Sequence, residues 1–120
     1  MVRLYYRGKG SRQSTFLSEK TKRIARRRDF SFQSSRPARL GYSVVISNEG
    51  IPLTRERLRT LLHREEITFI IGDANGLPED LKRDANEIVS VSPLPVSHAL
   101  EASILAEVMD SVLTQESEEL

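Results

Sequence analysis

The sequence predicts an α/β fold, a mainly parallel sheet flanked by helices. Three observations carry that expectation. From residue 40 onward, strand-like and helix-like segments alternate; the strand-like runs are short and rich in β-branched residues; and the joining segments are short, polar or Gly/Pro-bearing. A chain of 120 residues, 38% hydrophobic and 29% charged, suits one globular domain with a modest core.

The elements follow in order. Val2-Arg3-Leu4-Tyr5-Tyr6-Arg7 is rich in strand formers and stops at Gly8-Lys9-Gly10. Residues 14–28 read as a helix with Ser14 as N-cap and Leu17, Thr21, Ile24 and Arg28 along one face. Phe30 and Phe32 alternate with polar neighbours as in a short strand, which Ser34-Ser35-Arg36-Pro37 breaks. Residues 40–47 form a buried strand through Tyr42, Val44, Val45 and Ile46, and Asn48-Glu49-Gly50 turns after it. Thr54 caps a helix that runs to His63 and buries Leu58, Leu61 and Leu62. Residues 67–71 are the clearest strand, and residues 72–76 a loop. Pro78, followed by Glu79 and Asp80, opens a helix. Residues 87–92 form the last strand, and Pro93-Leu94-Pro95 a stiff loop. Residues 97–113 form an amphipathic helix whose stripe holds Leu100, Ile104, Leu105, Val108, Met109 and Val112. Residues 114–120 read as a frayed acidic tail.

Charge divides the chain. Residues 1–40 carry twelve Lys/Arg against two Asp/Glu, and residues 41–120 carry six against fifteen. A basic excess so confined, interleaved with Tyr5, Tyr6, Phe16, Phe30 and Phe32, points to nucleic acid. Lys20, Lys22, Arg23, Arg26, Arg27 and Arg28, with Arg36 and Arg39, are the candidate phosphate contacts. The alternative is a solvated face, with the aromatics in the core. The chain has no Cys and only His63 and His98, which excludes disulfides and thiolate chemistry and leaves too few ligands for a structural zinc site; no metal is expected. No apolar run is long enough for a membrane helix, and no apolar stretch near the start suggests a secretory signal; a cytoplasmic location is expected.

In parallel sheets ligands bind beyond the carboxyl ends of the strands. Three loops are expected to converge there: residues 47–50, 72–76 and 92–96. Gly72 and Gly76 fit neither a P-loop nor a dinucleotide fingerprint; they serve a tight turn or allow close approach to a cofactor. Asp73 either forms that turn or offers a polar group to a ligand.

Thr68-Phe69-Ile70-Ile71-Gly72-Asp73-Ala74-Asn75-Gly76-Leu77, then Ser90-Val91-Ser92-Pro93-Leu94-Pro95-Val96-Ser97-His98, then a long final helix, resemble the SPOUT (trefoil-knot) RNA methyltransferases. They are most similar to the small ribosomal large subunit methyltransferase H group, over residues 40–113. The sequence departs from that group at Asp73, which replaces a glycine, at Glu101 or Ala102, where an arginine is usual, and in lacking a Tyr-His ending. The resemblance implies a C-terminal trefoil knot and S-adenosylmethionine as cofactor. It assigns Ser47, Gly72, Asp73, Gly76 and Ser92, Pro93, Leu94, Pro95, Val96 and Ser97 to cofactor binding, within residues 40–113. It implies an RNA substrate, rRNA or tRNA, and a homodimer through the helix of residues 97–113, where Ala99, Ala102 and Ala106 permit close approach. His98 and Glu49 are the candidate catalytic residues; local hydrogen bonding and a solvated loop are the alternatives for them. The basic helix is expected to border the pocket mouth, joined by Arg36 and Arg39. A non-catalytic RNA-binding protein on the same scaffold, or an open-sheet nucleotide-binding domain, are the competing functions.

Overall fold

Ile67–Ile71 is buried at every residue, and this fixes the plan of the molecule. A strand apolar on both faces has to lie inside a sheet that is itself covered on both faces. In the computed structural model, which describes residues 1–6, 17–33, 36–72, 77 and 79–119, it does. The described elements are β1 (Val2–Tyr6), α1 (Glu19–Arg28), β2 (Ser31–Gln33), β3 (Tyr42–Pro52), α2 (Arg55–Leu62), β4 (Ile67–Ile71), α3 (Glu79–Arg83), β5 (Glu87–Ser90) and α4 (His98–Glu119). The sheet order is β2-β1-β4-β3-β5, and every pairing is parallel.

Side chains one residue apart serve opposite faces. Leu4, Val44, Ile46, Phe69 and Ile71 meet Ile24, Leu58, Leu61, Leu105 and Met109 of the helices. Tyr5, Val45 and Ile70 form the other face with Leu81 of α3.

The element boundaries differ from the sequence expectations where long-range partners intervene. α1 starts at Glu19, capped by Ser18, whose side chain accepts from the Thr21 amide; Ser14 lies outside the described residues, as does Pro78. Thr54 caps α2 as expected. β3 does not end at Ser47. It runs on to Pro52, and its register on β5 shifts so that Ile46 and Ile51 both face Val89. Residues 47–50 are therefore a bulge within a strand rather than the turn after one. Gly50 is required there, since a Cβ would stand 2.6 Å from the Val89 nitrogen. β5 is shorter than expected and ends at Ser90.

α4 differs most. Its buried residues are Glu101, Ala102, Leu105, Ala106, Met109 and Val112, so the buried stripe is rotated from the expected one and Leu100 is exposed. Leu105, Ala102 and Ala106 belong to this chain's own core, which removes the apolar stripe as an argument for a second copy. The helix also runs through the expected tail to Glu119. Arg28 donates to the Thr114 hydroxyl, Arg55 to Gln115, and Arg59 to Glu116 and Glu119, so this last stretch is held by α1 and α2.

Candidate functional site

Parallel strands end together, so the segments following β3, β4 and β5 emerge along one edge of the sheet. There they enclose a cleft of about 320 Å³. Ile46, Ser47 and Asn48 line it from β3, Gly72 and Leu77 from beyond β4, and Pro95 and Val96 from the loop after β5. Lys82 of α3 and His98 and Glu101 of α4 complete the lining.

Five of the residues expected from the sequence thus meet: Ser47, Gly72, Pro95, Val96 and His98. Asp73 and Gly76 lie outside the described residues. Ser92, Pro93, Leu94 and Ser97 do not line the cleft. Ser92 accepts from the Leu94 amide and its carbonyl accepts from the Ser90 hydroxyl, so it shapes the loop. Ser97 caps α4 by accepting from the Leu100 amide, and Leu94 is 69% exposed. Glu49 lines a separate groove with Ile51, Leu53 and Ile88, its carboxylate 3.9 Å from Lys82.

Two charged lining residues are not among the site residues expected from the sequence. Lys82 supplies a cation. Glu101 supplies a carboxylate whose side chain is only 8% exposed and sits 2.7 Å from Nδ1 of His98. The sequence does hold a signal for Glu101: it lies four residues before Leu105 and eight before Met109, an acid on a buried stripe.

The basic residues have a different fate. Lys20 pairs with Glu107 at 2.6 Å, and Arg27 and Arg28 clamp Asp110 at 2.7 Å each. Burial works to raise the Asp110 carboxyl, but the hydrogen bonds from Arg27 and Arg28 outweigh it and hold it below the ordinary range. Lys22 reaches Glu19, Arg36 pairs with Asp80, and Arg39 with Glu66. A hydrogen bond from Arg36 lowers Asp80, and one from Arg3 lowers Glu66. Arg23 and Arg26 are exposed and have no carboxylate partner among the described residues. Arg26 borders a shallow groove with Lys22, Phe30 and Phe32.

These pairings correct the expected placement of the basic helix. Asp110 lies twelve residues beyond His98, about 18 Å down α4 at 1.5 Å per residue. Arg27 and Arg28 are therefore remote from the cleft mouth. Arg39 is held at Glu66, at the amino edge of the sheet. Arg36 is nearer the cleft, through Asp80, two residues before Lys82.

The amino edge carries its own polar cluster. Tyr42 donates to Glu87 at 2.7 Å, Arg57 pairs with Glu87, and Arg64 stacks 3.5 Å above the Tyr42 ring. The bond from Arg57 lowers the Glu87 carboxyl, while the bond to Glu87 pushes the Tyr42 phenol up. This end faces away from the cleft and braces the starts of β3 and β5. Among the described residues no helix is long and apolar enough to cross a membrane, and no His/Cys/Asp/Glu group could hold a metal.

A family profile described as "Predicted SPOUT methyltransferase" matches residues 7–109. Similar curated proteins bear the name ribosomal RNA large subunit methyltransferase H. One from Thermus thermophilus is 39% identical over 74 residues, 59% of this chain and 54% of its own length. That of Prochlorococcus marinus (strain MIT 9515) is 34% identical over 74 residues, with the same shares. That of Caldicellulosiruptor saccharolyticus is 41% identical over 64 residues, 49% of this chain and 42% of its own. The chain spans about half the length of the curated relatives it matches.

Proposed function

The chain belongs to the SPOUT methyltransferase family, and from that premise we propose that it is an S-adenosylmethionine-dependent RNA methyltransferase with the carboxyl-edge cleft as its cofactor site. The observation that supports this most is the meeting of Ser47, Gly72, Pro95, Val96 and His98, from three separate segments, in one cleft. The residues present fit the cofactor. Ile46, Leu77, Pro95 and Val96 offer apolar faces to a purine, Ser47 and Asn48 offer polar groups, and Gly72 has no side chain to hold a ligand off the backbone. The buried carboxylate of Glu101 suits a ligand that carries positive charge. Asp73 and Gly76, outside the described residues, are assigned to this cofactor site by the resemblance alone.

When bound, S-adenosylmethionine supplies a methyl group already activated on a sulfonium. What remains for the chain is to orient the acceptor, keep water out and accept one proton. His98 is the residue of the cleft suited to touch the acceptor; Glu49, facing the neighbouring groove, is suited at most to its rim. The curated relatives are named for large-subunit ribosomal RNA, and we propose that substrate class over tRNA. Arg23 and Arg26, the exposed cations without a carboxylate partner among the described residues, are the first phosphate contacts in this reading, with Lys20, Lys22, Arg27, Arg28, Arg36 and Arg39 contributing where RNA displaces their carboxylates.

The same reading includes the C-terminal trefoil knot, one domain over the whole chain, a cytoplasmic location and a homodimer. With Leu105 in the chain's own core, the dimer contact moves to the start of α4, where Leu100 and the preceding Leu94 are exposed. Calorimetry with S-adenosylmethionine and with its demethylated product tests the cofactor site, and micromolar binding of both is expected. Mass spectrometry of nucleosides from ribosomal RNA, with and without the gene, tests the reaction. No heat at high micromolar ligand would leave the non-catalytic RNA-binding protein.

A further inference from the structure

Glu101 is a buried carboxylate, its side chain 8% exposed, with His98 as its sole side-chain partner among the described residues. Its neighbours on the buried side of α4 are Ala102, Leu105 and Ala106. An acid in such a place is costly unless a hydrogen bond satisfies it. Its partner lines the cleft with it, and among the described residues Lys82 is the other titratable group there, drawn toward Glu49 at 3.9 Å.

A carboxylate can only accept a hydrogen bond, so the 2.7 Å contact requires the proton of the neutral imidazole to sit on Nδ1. That leaves Nε2 with its lone pair free, and Nε2 has no partner among the described residues. The His98 side chain is 33% exposed, so this nitrogen is within reach of a molecule entering the cleft. The spacing is built into the sequence: three residues apart on a helix, the two side chains share a face.

We propose that His98 and Glu101 form a proton-accepting dyad, in which Glu101 is a positioning residue that fixes the His98 tautomer and His98 Nε2 takes the proton of a methyl acceptor bearing an N–H or O–H. The proposal rests on the methyltransferase reading above and deepens it. The acceptor heteroatom bonds to the methyl carbon as the carbon–sulfur bond breaks, its electron pair staying on sulfur. The acceptor's own proton passes to Nε2. The positive charge that leaves sulfur thereby reappears on an imidazolium already paired with Glu101, so the step moves one positive charge within the cleft without changing the cleft's net charge. Such an arrangement asks for little reorganisation of charge.

Nitrogen-resolved NMR of the imidazole rings in the ligand-free full chain reads the first half of the proposal without any activity. His98 is expected as a single Nδ1–H tautomer. Glu101→Gln, whose amide oxygen still accepts, should keep that tautomer, and Glu101→Leu should lose it. A mixed or Nε2–H tautomer in the unsubstituted chain would overturn the dyad and leave the methyltransferase reading standing. Transfer to large-subunit ribosomal RNA reads the second half. His98→Ala should lower kcat, read at saturating cofactor, by about 10²–10⁴-fold, the usual worth of a general base. Added imidazole should restore part of the turnover. Glu101→Gln should lower kcat at saturating cofactor with the KM for RNA held. An unchanged kcat in His98→Ala, or no rescue by imidazole, would overturn the proton transfer alone. No transfer and no cofactor heat with the unsubstituted chain would overturn both readings together.

Discussion

The two ends of α4 sit in different surroundings. At its start, His98 and Glu101 hold one another beside a cleft walled by apolar and small polar groups. From Glu107 onward the same helix is bound on two sides: by the cations Lys20, Arg27 and Arg28 from α1, and by Arg55, Arg59 and the imidazole of the capping His63 from α2. One helix therefore lines the candidate cleft at its first turn and balances charge along the rest. The difference teaches that the charge of a sequence segment is not its surface charge. By composition the basic third and the acidic remainder look made for different partners, and along this seam they serve each other. Exposed pairs of this kind add little stability individually. Their collective effect is to hold the final turns of α4 as helix.

The largest expected effect falls on what both regions share. Leu105→Asp places a charge at a fully buried core position and should cost about 4 kcal/mol or more, abolishing a cooperative thermal transition. A folded but monomeric Leu105→Asp would instead restore the apolar stripe to a dimer interface. Next comes the bulge that forms one wall of the cleft. Gly50→Val sets side-chain atoms against the backbone of Ile88 and Val89, and should cost about 2–3 kcal/mol while weakening cofactor binding.

Asp110→Asn acts on the seam alone. It should cost about 1–2 kcal/mol through the weakened bonds from Arg27 and Arg28, with calorimetric binding of the cofactor unchanged. The sign of its pH dependence follows from the lowered carboxyl. A depressed folded value stabilises above the ordinary aspartate value of about 3.9, and that contribution is lost as pH falls through the folded value. The drop in Tm between neutral and strongly acid buffer should therefore be smaller in Asp110→Asn than in the unsubstituted chain. It should not vanish, because Glu66, Asp80 and Glu87 are lowered in the same sense.

The sequence disclosed what local chemistry decides. α2 and its cap and β4 were legible because each rests on a short pattern: a capping threonine, and a continuous apolar, β-branched run. It concealed what distant partners decide. Asn48-Glu49-Gly50 has a turn's composition, and only the second pairing with β5 makes it a bulge inside a strand. Residues 114–119 look frayed until Arg28, Arg55 and Arg59 are set beside them. Ser92 and Ser97 stand in the expected cofactor loop, yet their hydroxyls are spent on shaping the loop and capping α4. Within the candidate site, the residues missed, Lys82 and Glu101, lie on helices rather than in the loops where ligand contacts are first sought.

The smallest change in stability accompanies the most discriminating substitution. Eight cations are candidates to grip RNA, and the structure divides them by partner. Arg27 and Arg28 face Asp110, whereas Arg23 and Arg26 face solvent with no carboxylate among the described residues. An arginine already holding a carboxylate must give it up to take a phosphate, so its net gain from RNA is reduced. A free arginine has no such cost. Arg23→Gln with Arg26→Gln should leave Tm nearly unchanged and flatten the salt dependence of ribosomal RNA binding, by up to about two units of log–log slope. Arg27→Gln with Arg28→Gln should do the reverse, lowering Tm with a slope loss well under one unit. Both double variants should bind S-adenosylmethionine as the unsubstituted chain does, since none of the four arginines lines the cleft. Filter binding across a range of salt, beside a thermal melt of each variant, reads both the slope and the stability, and calorimetry reads the cofactor. Equal slope losses in the two variants would show that RNA opens the Asp110 clamp and that the seam is part of the substrate surface. Unchanged slopes in both would place the RNA contacts outside α1 altogether.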